Sequence, residues 1–153
     1  MLQHKKSISM FSKACEYAIR SIIFIATSSL EEKRVGFKEI AEEIDAPEAF
    51  TAKILQKLSK NNFIQSTRGV NGGFEIGLEQ IKNIYLHEIV DLFDGDRIYK
   101  GCGLGLAKCS NEHPCPVHDQ FKIIREKLSQ MLQTTNIYEL ATGIKSGNYF
   151  LRT

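Results

Sequence analysis

Apolar residues recur at three- and four-residue intervals between positions 12 and 28, at Cys15, Ala18, Ile19, Ile22, Ile23 and Ala26. That period predicts a helix with one buried face, with Ser12 as its N-cap. A charged linker of Glu31, Glu32, Lys33 and Arg34 leads to Gly36 and a short amphipathic helix in which Phe37, Ile40, Ala41 and Ile44 share a face. Asp45 and Ala46 form a turn, and Pro47 suits the first turn of a third helix because its missing N–H is not needed there. Phe50, Ile54, Leu55 and Leu58 give that helix its apolar side; Glu48, Thr51, Lys53, Gln56, Lys57 and Lys60 form the other.

The pattern then changes. Residues 63–67 read as a strand, Arg68-Gly69-Val70-Asn71-Gly72-Gly73 as a glycine-rich reversal, and residues 74–76 as the returning strand. Two short helices joined by a tight turn and followed by a basic-tipped hairpin form a winged helix-turn-helix. A short helix is expected over 86–93, ending at Gly95, and residues 101–109 are too rich in glycine for regular structure. A long helix is expected over 116–133, with Val117, Phe121, Ile124, Leu128 and Met131 spaced as a heptad seam. The seam fits either dimerisation or packing on the helix's own domain; dimerisation is the expectation, since a winged helix reading two half-sites needs a partner. A final helix over 137–142, capped by Thr135 or Asn136, should pack back. The expected organisation is a mainly α fold with a small β-hairpin wing: a winged helix-turn-helix domain at 9–95, a cysteine-rich loop at 96–115, dimerisation and C-terminal helices at 116–142, and a tail at 143–153.

With 153 residues, 42% hydrophobic and 25% charged, one main domain is expected. No apolar run approaches the roughly 20 residues needed to cross a bilayer, and the polar start Met1-Leu2-Gln3-His4-Lys5-Lys6 leads into no secretory apolar region, so no membrane association and a cytoplasmic location are expected. The net charge is only +2, but it is segregated. Residues 47–73 hold Lys53, Lys57, Lys60 and Arg68 against Glu48 alone, whereas residues 31–45 are acidic on balance. No nucleophile, base and orienting residue stand out as a set and no phosphate-cradling motif occurs, so an enzyme is not expected.

Of four cysteines, Cys102, Cys109 and Cys115 cluster. An odd cluster without a secretory segment argues for metal or cluster ligation rather than disulfides. Thiolates are preferred iron-sulfur ligands, zinc with His113 or His118 would satisfy the same set, and free thiols are the third reading. His118, three residues after Cys115 on the first turn of the long helix, is a candidate fourth ligand. Cys15 reads as a buried packing residue, and His113 and His87 as surface residues.

Tyr17-Ala18-Ile19-Arg20, Ile40-Ala41-Glu42, Lys53-Ile54-Leu55-Gln56-Lys57-Leu58, the Arg68-Gly69 and Gly72-Gly73-Phe74 wing and the three later cysteines together resemble the Rrf-type bacterial regulators that include IscR, NsrR and CymR. The resemblance runs from about Phe11 to Thr142. It implies a homodimeric DNA-binding transcriptional regulator, expected to act as a repressor, on a double-stranded DNA operator. The helix beginning at Pro47 would enter the major groove with Glu48, Ala49, Phe50, Ala52 and Lys53 nearest the bases. The wing, with Arg68, Gly69 and Asn71, would enter the adjacent minor groove, and Lys57 and Lys60 would contact phosphates. It further implies an iron-sulfur cluster on Cys102, Cys109 and Cys115, [2Fe-2S] favoured and [4Fe-4S] the alternative, lost on aerobic isolation and reporting redox state, nitric oxide or iron-sulfur supply. Besides His118, the resemblance offers Glu16, donated across the dimer, as fourth ligand. A CymR-like regulator without a cluster, or with zinc, controlled by a protein or small-molecule partner, is the alternative. This chain departs from its relatives in the alanines at 49 and 52, in lacking a basic-Pro pair after the wing, in Tyr85 at a helix cap, and in a Cys102–Cys109 gap one residue longer than usual.

Overall fold

The computed structural model describes residues 9–152; the polar start at Met1-Leu2-Gln3-His4-Lys5-Lys6 lies outside them. The first helix, α1 (Lys13–Ser29), begins where Ser12 accepts a hydrogen bond from the Cys15 N–H at 3.1 Å. Cys15, Ala18, Ile22, Ile25 and Ala26 line its fully buried face. Burying a side chain the size of Ile22 contributes about 1.5–3 kcal/mol, which makes α1 the axis of the molecule. Around it pack α2 (Phe37–Glu43), α3 (Glu48–Lys60), α5 (Leu86–Asp94) and α8 (Ile137–Lys145). The last helix does pack back on the core, through Ile137 and Ala141, with Asn136 as its cap.

The wing is an antiparallel pair, β1 (Gln65–Thr67) and β2 (Gly73–Glu75), with Ser66 opposite Phe74. Both strands are shorter than the alternation predicts. Ile64 turns into the core beneath them, and the Ile76 N–H leaves the ladder for the Ser29 hydroxyl at 3.0 Å.

Two short helices were not expected, α4 (Leu78–Asn83) and α6 (Arg97–Lys100). At the next helix start Tyr85 needs no hydroxyl cap: its N–H donates to Glu88 Oε2 at 2.7 Å, so a carboxylate one turn on does the work of a Ser or Thr. Backbone bonds from Leu86 to Thr135 and from Ile137 to Ile84 fasten the start of α5 to the start of α8. The long helix α7 (His118–Thr134) starts two residues later than expected, after Pro116 and Val117. Its Leu132 is buried and Phe121 and Leu128 are half-buried, but Ile123, Ile124 and Met131 remain open at 54%, 56% and 45% exposure. No helix among the described residues is long and apolar enough to cross a membrane.

Candidate functional site

The outer crest of α3 and the wing form one continuous exposed surface. Pro47, Glu48, Ala49, Ala52, Lys53, Gln56 and Lys60 are exposed on and just before α3, and Arg68, Gly69, Val70 and Asn71 at the wing tip. A groove of about 610 Å³ runs between them, with Phe37 and Phe74 along it and Gln56, Lys60 and Ser66 supplying its polar groups. Gly69 takes φ 104, open to a residue without a β-carbon, and a β-carbon on Gly72 would collide with the Thr67 carbonyl. The reversal is therefore fixed by its glycines, with Arg68 at its edge.

One expectation for α3 needs correction. Thr51, placed on the outer face by its polarity, is fully buried, because its hydroxyl donates to the Pro47 carbonyl at 3.0 Å and so needs no solvent. Phe50 is exposed, but its ring meets Tyr17 of α1 edge-on at 5.6 Å between centroids, and Arg20 stacks over that Tyr17. Lys57 is also on this flank, its ammonium 4.6 Å from the centre of the Phe93 ring of α5. Phe50 and Lys57 thus tie α3 to α1 and α5, while Lys53, Gln56 and Lys60 crown it.

The three loop cysteines and His118 fall into two pairs. Cys102 has Cys115 as its neighbour, and the backbone N–H groups of Leu104 and Leu106, with lesser help from the Cys115 side chain and Gly105, hold its thiol below the ordinary range. Cys109 Sγ lies 3.4 Å from His118 Nδ1 and accepts from Arg125 Nη2 at 3.2 Å; another Arg125 nitrogen donates to the Gly101 carbonyl. His118 is buried, with Nε2 2.8 Å from Asn111 Oδ1. A proton on Nε2, given to that carbonyl oxygen, leaves the Nδ1 lone pair facing Cys109, the form in which an imidazole binds metal. Among the described residues no three His, Cys, Asp or Glu side chains converge on a single point. His113 is exposed, as expected; His87 is half-buried beside Tyr85 rather than on the surface.

Glu16 is held elsewhere within the protomer. It pairs with Lys13 at 3.1 Å and with Ser9, whose hydroxyl lowers its pKa most, in a cleft with Phe11, Tyr17 and Arg20. The residue before Glu16, Cys15, is buried as expected. Burial, then the neighbouring Asp94 carboxylate, pushes its thiol up to about 12. Asp94 also accepts from the Ser12 N–H at 2.8 Å and from the Ser12 hydroxyl. The last residue of α5 thereby secures the first turn of α1.

Sequence reasoning missed Arg125 as a partner of the cysteine loop, although it lies seven residues after His118 and so on the same helical face. Gln56 was legible in the same way from Lys53 and Lys60. Asn111 and Asp94 carried no signal, since only the tertiary fold brings them to His118 and Ser12.

The Rrf2 family, described as iron-dependent transcriptional regulators, matches residues 11–143. An HTH-type transcriptional regulator of Aquifex aeolicus is 30% identical over 133 residues, covering 86% of this chain and 90% of the relative. IscR of Klebsiella pneumoniae is 24% identical over 127 residues, covering 83% and 76%. Among solved structures CymR, the global cysteine regulator of B. subtilis, superposes with a TM-score of 0.69 at 18% identity, covering 88% of this chain and 98% of that one. Its relatives and fold neighbours are winged-helix regulators and not enzymes, and the chain belongs to the Rrf2 family of DNA-binding transcriptional regulators.

Proposed function

We propose that this regulator binds its operator as a homodimer and that an iron-sulfur cluster on Cys102, Cys109, Cys115 and His118 sets its affinity for DNA. The carrying observation is the grouping of the donors. A [2Fe-2S] cluster needs two protein ligands on each iron, and the loop presents two pairs, Cys102 with Cys115 and Cys109 with His118. Their surroundings suit the group as well. Backbone N–H groups directed at Cys102 and the Arg125 guanidinium at Cys109 stabilise thiolate charge, and Asn111 orients the imidazole. When bound, the cluster supplies one-electron redox chemistry and a reactive iron centre, and the single imidazole is a more easily lost ligand than thiolate.

The chain's own contacts support a route from the loop to the DNA surface. The loop follows α6 directly, and α6 follows the Phe93-Asp94-Gly95 corner. Asp94 grips the start of α1, Phe93 takes the Lys57 ammonium, and Tyr17 of α1 carries Phe50 at the head of α3. A shift of this corner therefore reaches α3 at both ends. On DNA, Glu48, Ala49, Ala52, Lys53 and Gln56 would face the major groove, with Pro47 and Phe50 at its edge. Arg68, Gly69 and Asn71 would reach the minor groove, and Lys60, and Lys57 once free of Phe93, would meet phosphates. Ile123, Ile124 and Met131 supply an open apolar edge for the second copy.

Anaerobic isolation, or reconstitution with iron and sulfide, tests the cluster. A coloured protein with equal iron and acid-labile sulfide is expected, lost in Cys102→Ala, Cys109→Ala and Cys115→Ala and spectrally altered in His118→Ala but not in Glu16→Ala. The reverse result for the last two would move the fourth ligand to Glu16 of the partner subunit. A colourless protein with stoichiometric zinc would replace this reading by a cluster-free, CymR-like one with a protein or small-molecule signal.

A further inference from the structure

The last residue of α1 and its connection to α2 hold Phe74 and Glu75 of β2 and Ile76 just beyond it. Phe74 exchanges backbone hydrogen bonds with Val35, at 2.8 Å from its own N–H and 3.1 Å to its carbonyl, and Val35 is buried. Arg34 Nε and Nη2 donate to the two carboxylate oxygens of Glu75 at 2.9 and 3.2 Å, while Nη1 donates to the Asn71 carbonyl at 3.2 Å. Ile76 is tied to Ser29. Gly73, at φ 134, lies so close to the linker that a β-carbon would stand 2.8 Å from the Val35 carbonyl.

These ties matter because the hairpin is weak by itself. It has three paired residues, every residue of β1 is exposed, and a two-stranded ribbon of that length is not self-supporting in water. Exposed ion pairs contribute little to stability, so the significance of Arg34 is directional. One planar fork joins the strand, at Glu75, to the reversal, at Asn71, and Asn71 is three residues from Arg68. The same fork neutralises the Glu75 carboxylate, which would otherwise repel a phosphate backbone.

We propose that Arg34 is a positioning residue for DNA binding, holding the wing at the angle from which Arg68 and the fully exposed Val70 reach the minor groove. The inference rests on the wing contact proposed above. Its test is a double-mutant cycle on the full-length dimer, with the duplex that the wild type selects from a random-sequence pool as probe. R68A should weaken binding about tenfold and R34A about five- to tenfold, whereas R68A introduced into R34A should cost less than about twofold more. Hydroxyl-radical protection in the minor groove beside each half-site should fade in R34A with helical content unchanged. R34K, which keeps the charge and loses the fork, should behave as R34A, and it carries the same cycle if R34A does not fold. Losses that multiply independently, as a direct phosphate contact would give, overturn the proposal, as does an R34K protein that binds like wild type. An R68A protein that binds like wild type removes the wing contact itself, and the clamp with it.

Discussion

Asp94→Asn probes the proposed joint between the cysteine loop and the DNA-reading helices. The Asp94 carboxylate accepts from the Ser12 N–H at 2.8 Å and from the Ser12 hydroxyl, close to the Cys15 thiol and at the positive end of the α1 dipole. A hydrogen bond to a charged group contributes about 1.5–3 kcal/mol, but Asp94 is half-buried, and the amide oxygen of Asn still accepts one bond. The net loss should be about 2 kcal/mol. At roughly 2–4 °C per kcal/mol for a chain of this size, the melting temperature should fall by about 4–8 °C. The functional effect is separate. On the proposed route, freeing the start of α1 from α5 would uncouple it from the loop, so the ratio of operator affinities with and without the cluster should fall toward one. Calorimetry of the cluster-free protein and anisotropy titrations of both forms measure the two effects. A variant melting within about a degree of wild type would refute the energetic reasoning. A destabilised variant that keeps the full affinity ratio would refute the route through Asp94.

Ile124→Glu places a charge on the open edge of α7 and should convert the dimer to monomer in sedimentation; an unchanged dimer would put the interface elsewhere. Gly72→Ala, whose β-carbon would meet the Thr67 carbonyl, should lower DNA affinity about tenfold or more with helical circular dichroism retained, and intact binding would show that the reversal is not a contact. The raised pKa of Cys15 favours the neutral thiol in the fold, so its contribution is fully present below the unfolded thiol pKa of about 8.5 and is lost as pH rises toward about 12. Urea unfolding at increasing pH above that point should show stability falling by up to about 1.4 kcal/mol per pH unit from this group, a slope that Cys15→Ala lacks; equal slopes in the two proteins would contradict the assignment.

Much of the fold was legible where two local signals coincide. Ser12 as cap and the apolar period after it both mark the start of α1, and the wing follows from glycines whose conformations the reversal demands. Where one signal stood alone, the reading failed. The helix α4 is six residues long and buries only Ile81, too little for a period to register, and α6 buries nothing. Thr51 looked exposed because polarity was taken for exposure, whereas a threonine that bonds back along its own helix satisfies its hydroxyl internally. The contacts of Phe50 with Tyr17 and of Lys57 with Phe93 carried no local signal, since they join α3 to helices distant in sequence. The three cysteines and His118 were visible as donors. Their sorting into two pairs, with Arg125 and Asn111 behind them, depends on the turn of the loop against α6 and α7 and has no counterpart in spacing.

The coupling of cluster to operator is measured most directly by titrating one selected duplex with the same preparation before and after anaerobic removal of its iron. The account predicts dissociation constants that differ by at least about tenfold, with the difference abolished in Cys115→Ala. Identical constants for an iron-loaded and an iron-free dimer would contradict it, leaving a winged-helix DNA binder whose signal enters by another door.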